Sequence, residues 1–212
     1  MRNQFYGDRK DVLKWTFALR AAGTSKAVLY VAMLRPNKGQ HGLDFTEVDG
    51  ADPLVVEFFK RERTNFGSSS YRAVARISAL SPCIELVHDL YIHGDRHTYF
   101  HTVSSRLKKR PARQLYVVLL DPDNGVGGKC PKSEHVCDKD ISTVWSAMIP
   151  GDVLIVYQHQ FRDKEWLSKR QSQVAAATGV PNVTCRRDND VQSVCFFEVV
   201  KPGFALTSDA SH

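Results

Sequence analysis

The sequence predicts an α/β fold: one mainly parallel sheet with helices on both faces and an antiparallel hairpin at its C-terminal end. Three observations carry this. From residue 84 onward, strand-like and helix-like segments alternate, which implies parallel βαβ units. The runs at 115–120 and 153–157 are apolar throughout, as strands covered on two faces must be. The last two strand-like runs, 183–187 and 194–200, flank the turn-forming Asp188-Asn189-Asp190, which closes them into a hairpin.

The elements follow in order. Residues 11–22 read as a helix with Val12, Trp15, Phe17 and Leu19 on its apolar side and Gly23 as its stop. Residues 26–34 form an apolar run of strand length, 36–42 a polar turn, and 43–48 a short alternating strand. Asp52 and Pro53 open a helix to about residue 63, and Ser69 or Ser70 caps another to about residue 80. Then come a strand at 84–90, a helix at 98–109, the strand at 115–120 and a helix at 138–148 stopped by Pro150-Gly151. A strand at 153–158, a helix at 164–178 stopped by Gly179, and the hairpin complete the fold. Residues 1–203 are read as a single domain, with the helical segment 1–24 lying across the site and 204–212 a loose tail.

Composition narrows the class. A chain of 212 residues with 25% charged and 42% apolar residues suits one soluble domain with a full core. No apolar run approaches a membrane span, and the N-terminus lacks the apolar stretch of a secretory signal. Five scattered cysteines, an odd number, look like reduced thiols, so the expected location is cytoplasmic and no membrane partner is expected. The net charge of +6 favours an anionic partner, nucleic acid first. Two basic runs, Arg106-Lys108-Lys109-Arg110-Arg113 and Lys60-Arg61-Arg63, are candidate contacts, although cations also suit helix ends. Composition gives no oligomeric state.

Three segments could carry chemistry. The first is the corner Asp121-Pro122-Asp123-Asn124-Gly125, straight after the central strand. In an open α/β sheet, ligands bind beyond the carboxyl ends of the strands. These residues also make ordinary tight turns. As a site, Asp121 and Asp123 could hold Mg²⁺ through hard oxygen ligands. Alternatively, Asp121 and Asn124 could hydrogen-bond an amino group while Pro122 fixes the backbone. The second segment, Tyr157 to Arg162, follows the next parallel strand. His159 could act as acid, base or ligand near neutral pH, and Arg162 could fork onto phosphate. The third is 3–14, where Tyr6 and Asp8 precede the first helix and Lys10 and Lys14 lie one turn apart on it. Its plain alternative is a capped helix.

Other signals are weaker. Cys130, His135 and Cys137 lack a fourth zinc ligand at a recognised spacing. Gly125, Gly127 and Gly128 before Lys129 do not form a phosphate loop. His97 and His101 share a helical face without an HExxH motif, and no nucleophile elbow occurs.

The segments N-Q-F-Y-G-D-R-K-D-V-L-K, L-D-P-D-N-G and Y-Q-H-Q-F-R, between residues 3 and 162, resemble a family of small bacterial and phage proteins. Its pattern is N-[RQ]-[YF]-x-G-D-x-x-D-x-x-K, L-D-P-D-N-G and Y-Q-H-x-x-R. That resemblance brings no activity with it. More distantly, Gly7, Asp11, Val12, Leu13 and Lys14, with Asp121-Pro122-Asp123-Asn124, are similar to the opening segment and D-P-P-Y motif of Rossmann-like ribosomal RNA adenine-N6 methyltransferases. That resemblance implies S-adenosylmethionine as cofactor and a target amino group gripped at the Asp121–Asn124 corner. The glycine-rich cofactor turn would fall on 33–42, where Gly39 and Gly42 are the glycines but no G-x-G occurs. The ribose-binding acid would be Glu47 or Asp49, and the aromatic of D-P-P-Y is missing.

Three functions are therefore in view. One is a methyltransferase-like protein acting on nucleic acid, with Asp121, Pro122 and Asn124 at the acceptor. Another is a Mg²⁺-dependent nuclease or phosphohydrolase with Asp121 and Asp123 on the metal, His159 as base and Lys10 or Arg162 on phosphate. The third is a nucleic-acid-binding module without catalysis.

Overall fold

The computed structural model describes residues 2, 6–36, 48–66, 73–87, 89–127, 132–188 and 191–203. In chain order the elements are α1 (Arg9–Ala22), β1 (Lys26–Val31), α2 (Pro53–Phe66), a 3₁₀ segment (Ala73–Ala79), β2 (Ile84–Val87), a 3₁₀ turn (His93–Asp95) and α3 (Arg96–Lys108). There follow β3 (Leu115–Leu120), β4 (Gly125–Val126), β5 (His135–Val136), α4 (Asp138–Ala147), β6 (Val153–His159), α5 (Trp166–Thr178), β7 (Thr184–Arg186) and β8 (Val194–Val200).

Six strands form one sheet in the order β2-β1-β3-β6-β8-β7. The pairs β1–β2, β1–β3 and β3–β6 are parallel, and β8 runs antiparallel to both of its neighbours. The fold is thus the expected α/β architecture with a mostly parallel, Rossmann-like sheet. The hairpin differs in one respect. Its longer strand, β8, is inserted beside β6, and the short β7 takes the edge.

Each central strand is buried on both faces because its alternate residues feed two separate cores. Tyr116, Val118 and Leu120 pack with α3, α4 and α5 through Phe100, Val103, Ile141, Val144 and Val174. Val117 and Leu119 pack with α1 and α2 through Val12, Trp15, Val55 and Phe59. A fully buried Val, Leu or Phe contributes roughly 1.5–3 kcal/mol, so these two layers fix the helices to the sheet.

Several boundaries move. Strands expected at 26–34 and 84–90 end at Val31 and Val87 because both chains then turn out of the sheet, keeping one bridge between Leu34 and Leu90. The helix expected at 70–80 is a 3₁₀ segment over Ala73–Ala79, and its proposed cap lies outside the described residues. Most of the strand expected at 43–48 also lies outside them; the neighbour of β1 is β2. The small parallel ladder β4–β5 was not foreseen, since two-residue strands leave no periodicity to read. Among the described residues, no helix is long and apolar enough to cross a membrane.

Candidate functional site

From β1 the chain crosses to β2 on one side and later returns to β3 on the other. The crevice beyond the carboxyl ends of β1 and β3 is therefore the topological switch point, where open α/β sheets bind ligands. A cavity of about 400 Å³ lies there, walled by the start of α1, the Asp121–Asn124 corner and the end of β6.

The start of α1 is shaped by a reciprocal cap. Asp8 accepts a hydrogen bond from the Asp11 N–H (2.9 Å), and Asp11 accepts one from the Gly7 N–H (2.7 Å). Gly7 has φ of 82°, a left-handed conformation open to glycine at little cost.

One turn further, Lys14 is buried and donates to Asp11 Oδ1 and Asp121 Oδ2, both at 2.6 Å. The Tyr30 hydroxyl donates to the same Asp121 oxygen (2.5 Å). This network fastens α1 onto the ends of β1 and β3. Burial alone would lower the Lys14 pKa, but Asp11 and Asp121 outweigh it and hold the ammonium above its usual range. Burial raises the Asp11 carboxyl, against the pull of Lys14. Burial, reinforced by Asp11, pushes the Asp8 carboxyl up to about 7.

The corner after β3 is held by Gln158, which is fully buried. Its carboxamide accepts from Val126 N–H (2.8 Å) and donates to the carbonyls of Asn124 (3.1 Å) and His159 (2.6 Å). Gly125 is required here: a Cβ would stand 2.5 Å from the Gln158 carboxamide, and φ is +102°. The Asn124 backbone is used twice more, donating to Glu134 O (2.9 Å) and accepting from His159 N–H (3.2 Å). Its side chain lines the cavity and makes no hydrogen bond among the described residues.

On the β6 side, Lys10 Nζ and His159 Nε2 are 2.9 Å apart. Burial, then the Lys10 charge, lowers the His159 pKa, so the ring is neutral and accepts from the ammonium. Tyr157 forms part of the same wall, packed edge-on against Phe196. At the mouth, Arg35 binds Asp123 (2.8 Å) and approaches Glu134 (3.4 Å), and Arg2 lies 3.4 Å from Asp123. Burial acts to raise the Asp123 carboxyl, but the surrounding cations, Arg2 and Arg35 among them, hold it below its usual range.

The donor set does not fit Mg²⁺. Asp121 Oδ2 is bound by Lys14 and Tyr30, and Asp123 Oδ2 by Arg35. Among the described residues, no three His, Cys, Asp or Glu side chains converge as metal ligands. For S-adenosylmethionine the outcome is divided. The cavity is large enough for much of such a molecule and offers both signs of charge. The backbone just after β1, however, is closed. The Met33 N–H is already used, donating to the Tyr99 hydroxyl (3.0 Å), and Leu34 O accepts from Tyr91 N–H (2.7 Å).

Of the residues singled out in the sequence, Asp8, Lys10, Lys14, Asp121, Pro122, Asp123, Asn124, Tyr157 and His159 line this one cavity. Tyr6 does not: it is buried against Phe59, and its hydroxyl donates to Glu62 (3.3 Å). Arg162 is exposed and outside the wall, because the chain leaves the sheet after His159. Gly39, Gly42, Glu47 and Cys130 lie outside the described residues. Asp49 sits in a turn beside Gly50, whose carbonyl binds Arg20 near the far end of α1, so it is remote from the crevice. Asp89, just beyond β2, lines a separate pocket with Thr98 and Tyr99 and is not part of this cavity. Arg2, Arg35 and Glu134 join the wall unforeseen, and so does Asp11, which the sequence offered only through its likeness to a methyltransferase opening segment. Asp11 alone had a spacing signal as well, being three residues before Lys14 on one helix face.

The basic run at 106–113 is not beside the site. Arg110 is held by Asp152, which also caps the Tyr116 N–H at the amino ends of the strands, the opposite sheet edge. Lys60, Arg61 and Arg63 are exposed at the other end, where Glu62 meets Tyr6.

No family model and no curated protein matches the sequence. Among solved structures, the chain is similar to human methyltransferase-like protein 13 in complex with SAH: 16% identity over 92% of this chain and 80% of that chain, TM-score 0.43. It is also similar to precorrin-6y C5,15-methyltransferase from Geobacter metallireducens GS-15: 10% identity over 94% of each chain, TM-score 0.37. Likenesses this distant carry no conclusion about activity.

Proposed function

We propose that this chain is a methyltransferase-like protein that takes an S-adenosylmethionine-type cofactor in the carboxyl-edge cavity and receives a nucleic-acid amino group at the Asp121–Asn124 corner. The observation that carries the reading is the coincidence of the cavity, the switch point and that corner in a sheet whose penultimate strand is reversed. The cofactor supplies an electrophilic methyl group when bound. The chain supplies the setting for the acceptor. The Asn124 carboxamide has an oxygen to accept an amine N–H, Pro122 stiffens the backbone, and Gln158 locks the corner in place. Lys60, Arg61 and Arg63 supply phosphate contacts at the same end of the molecule.

Thermal unfolding with S-adenosylhomocysteine tests this reading. A ligand at ~100 times its Kd stabilises by about 2.7 kcal/mol, which raises Tm by roughly 5–11 °C for a chain this size. Mg²⁺ alone should leave Tm unchanged. No shift at about 1 mM ligand, where even a weak complex forms, overturns the cofactor assignment. RNA binding should weaken steeply with salt, and less steeply once Lys60, Arg61 and Arg63 are changed to alanine; a flat salt response removes nucleic acid as substrate. The closed backbone after β1 favours a second reading, a binding module without a cofactor. In that case RNA binds and S-adenosylhomocysteine does not.

A further inference from the structure

The charges lining the cavity do not cancel locally. Asp11 and Asp121 share Lys14, and Asp123 and Glu134 share Arg35. Among the described residues, two charged side chains in the wall have no ion-pair partner. Asp8 only accepts the Asp11 N–H, and Lys10 only meets the neutral His159 ring. Asp8 is the N-cap of α1 and Lys10 lies in its first turn, two residues on, and both line the cavity. The wall thus presents a carboxylate and an ammonium at one helix end, neither of them engaged in an ion pair among the described residues. Backbone N–H groups in the first turn of α1 add positive potential on the Lys10 side.

We propose that this end of the cavity is a receptor for a zwitterionic α-amino-acid group, with Asp8 holding its ammonium and Lys10, steadied by His159, holding its carboxylate. An α-amino acid carries the two opposite charges on one carbon, which matches a pair of complementary charges two residues apart. A simple amine or carboxylate would satisfy only one of them. Burial, and then crowding by Asp11, makes Asp8 a costly anion when the cavity is empty, and an incoming ammonium relieves that cost. The proposal deepens the reading above, in which the group is the methionyl end of the cofactor. It also places that end on α1 instead of on the backbone after β1, which Tyr99 and Tyr91 have closed.

Calorimetry with S-adenosylhomocysteine and with 5′-methylthioadenosine, which lacks the amino-acid group, separates the possibilities. Asp8→Asn keeps a good helix cap but removes the charge, and Lys10→Met keeps the stem. Each should weaken S-adenosylhomocysteine about tenfold to a hundredfold, the range for a charged hydrogen bond, and leave 5′-methylthioadenosine unchanged. Equal loss for both ligands, or no loss for either, overturns the proposal. If S-adenosylhomocysteine fails to bind the unaltered protein, the cofactor reading falls while the receptor is still tested. Free L-amino acids at millimolar concentration should then raise Tm, their decarboxylated and deaminated counterparts should not, and Lys10→Met should abolish the rise. No response to any L-amino acid overturns it.

Discussion

Lys14→Met removes the buried cation that joins α1 to the sheet. The side chain is 2% exposed and sits 2.6 Å from a carboxylate oxygen of both Asp11 and Asp121. Methionine fills most of the volume but leaves two buried carboxylates without their shared cation. Breaking a buried pair in this way costs about 3–5 kcal/mol. For a domain of this size that lowers Tm by roughly 6–20 °C. Urea unfolding at pH 7.5, followed by far-UV circular dichroism, measures the loss directly. The loss should shrink near pH 5, because Asp11, whose carboxyl is already raised, takes up a proton more readily than an ordinary carboxyl. Adding Asp121→Asn should recover at least ~1 kcal/mol, the signature of coupled neighbours. A loss below about 1 kcal/mol at pH 7.5, with an unchanged denaturant slope, refutes the account of how α1 is fixed over the crevice.

Three further outcomes are expected. Gly125→Ala forces a Cβ to within 2.5 Å of the Gln158 carboxamide at a φ of +102°; it should destabilise by at least ~2 kcal/mol, and a neutral result in a melting curve contradicts the brace. Asp152→Asn loses the bidentate Arg110 pair at a fully buried carboxylate. It should cost about 3–5 kcal/mol without altering ligand binding, since it lies at the opposite sheet edge; a binding defect in the folded variant contradicts that separation. Asp8 is raised from 3.8 to about 7, so its ionisation opposes folding. The penalty is absent below 3.8, grows as pH rises through that interval and is complete above about 7. Asp8→Asn should therefore gain on the unaltered protein between pH 4 and pH 8, by at most about 4 kcal/mol, and a stability difference constant across that range refutes it.

The main strands were legible because burial on both faces writes a continuous apolar run, as at 115–120, and because Pro150-Gly151 and Gly179 punctuate the helices. The corner at Asp121–Asn124 was legible because polar residues directly after a buried strand have to emerge at the carboxyl edge. The meeting of Lys10 with His159, which are 149 positions apart, could only be guessed from topology. The roles of Gln158 and Arg110 were hidden for a physical reason: each looks like a surface residue by type, yet each is buried with its polar atoms satisfied. Tyr6 misled for the complementary reason. An aromatic beside a charged loop serves equally as a core anchor, and here it packs on Phe59.

Ligand binding in the crevice beyond β1 and β3 underlies the whole of the proposed function. Backbone amide shifts recorded during titration with S-adenosylhomocysteine test it most directly. Saturable changes are expected at residues 8–11, 121–126 and 157–159, with 106–113 at the far edge undisturbed. Saturable changes confined to any other region, or none at millimolar ligand, would contradict it.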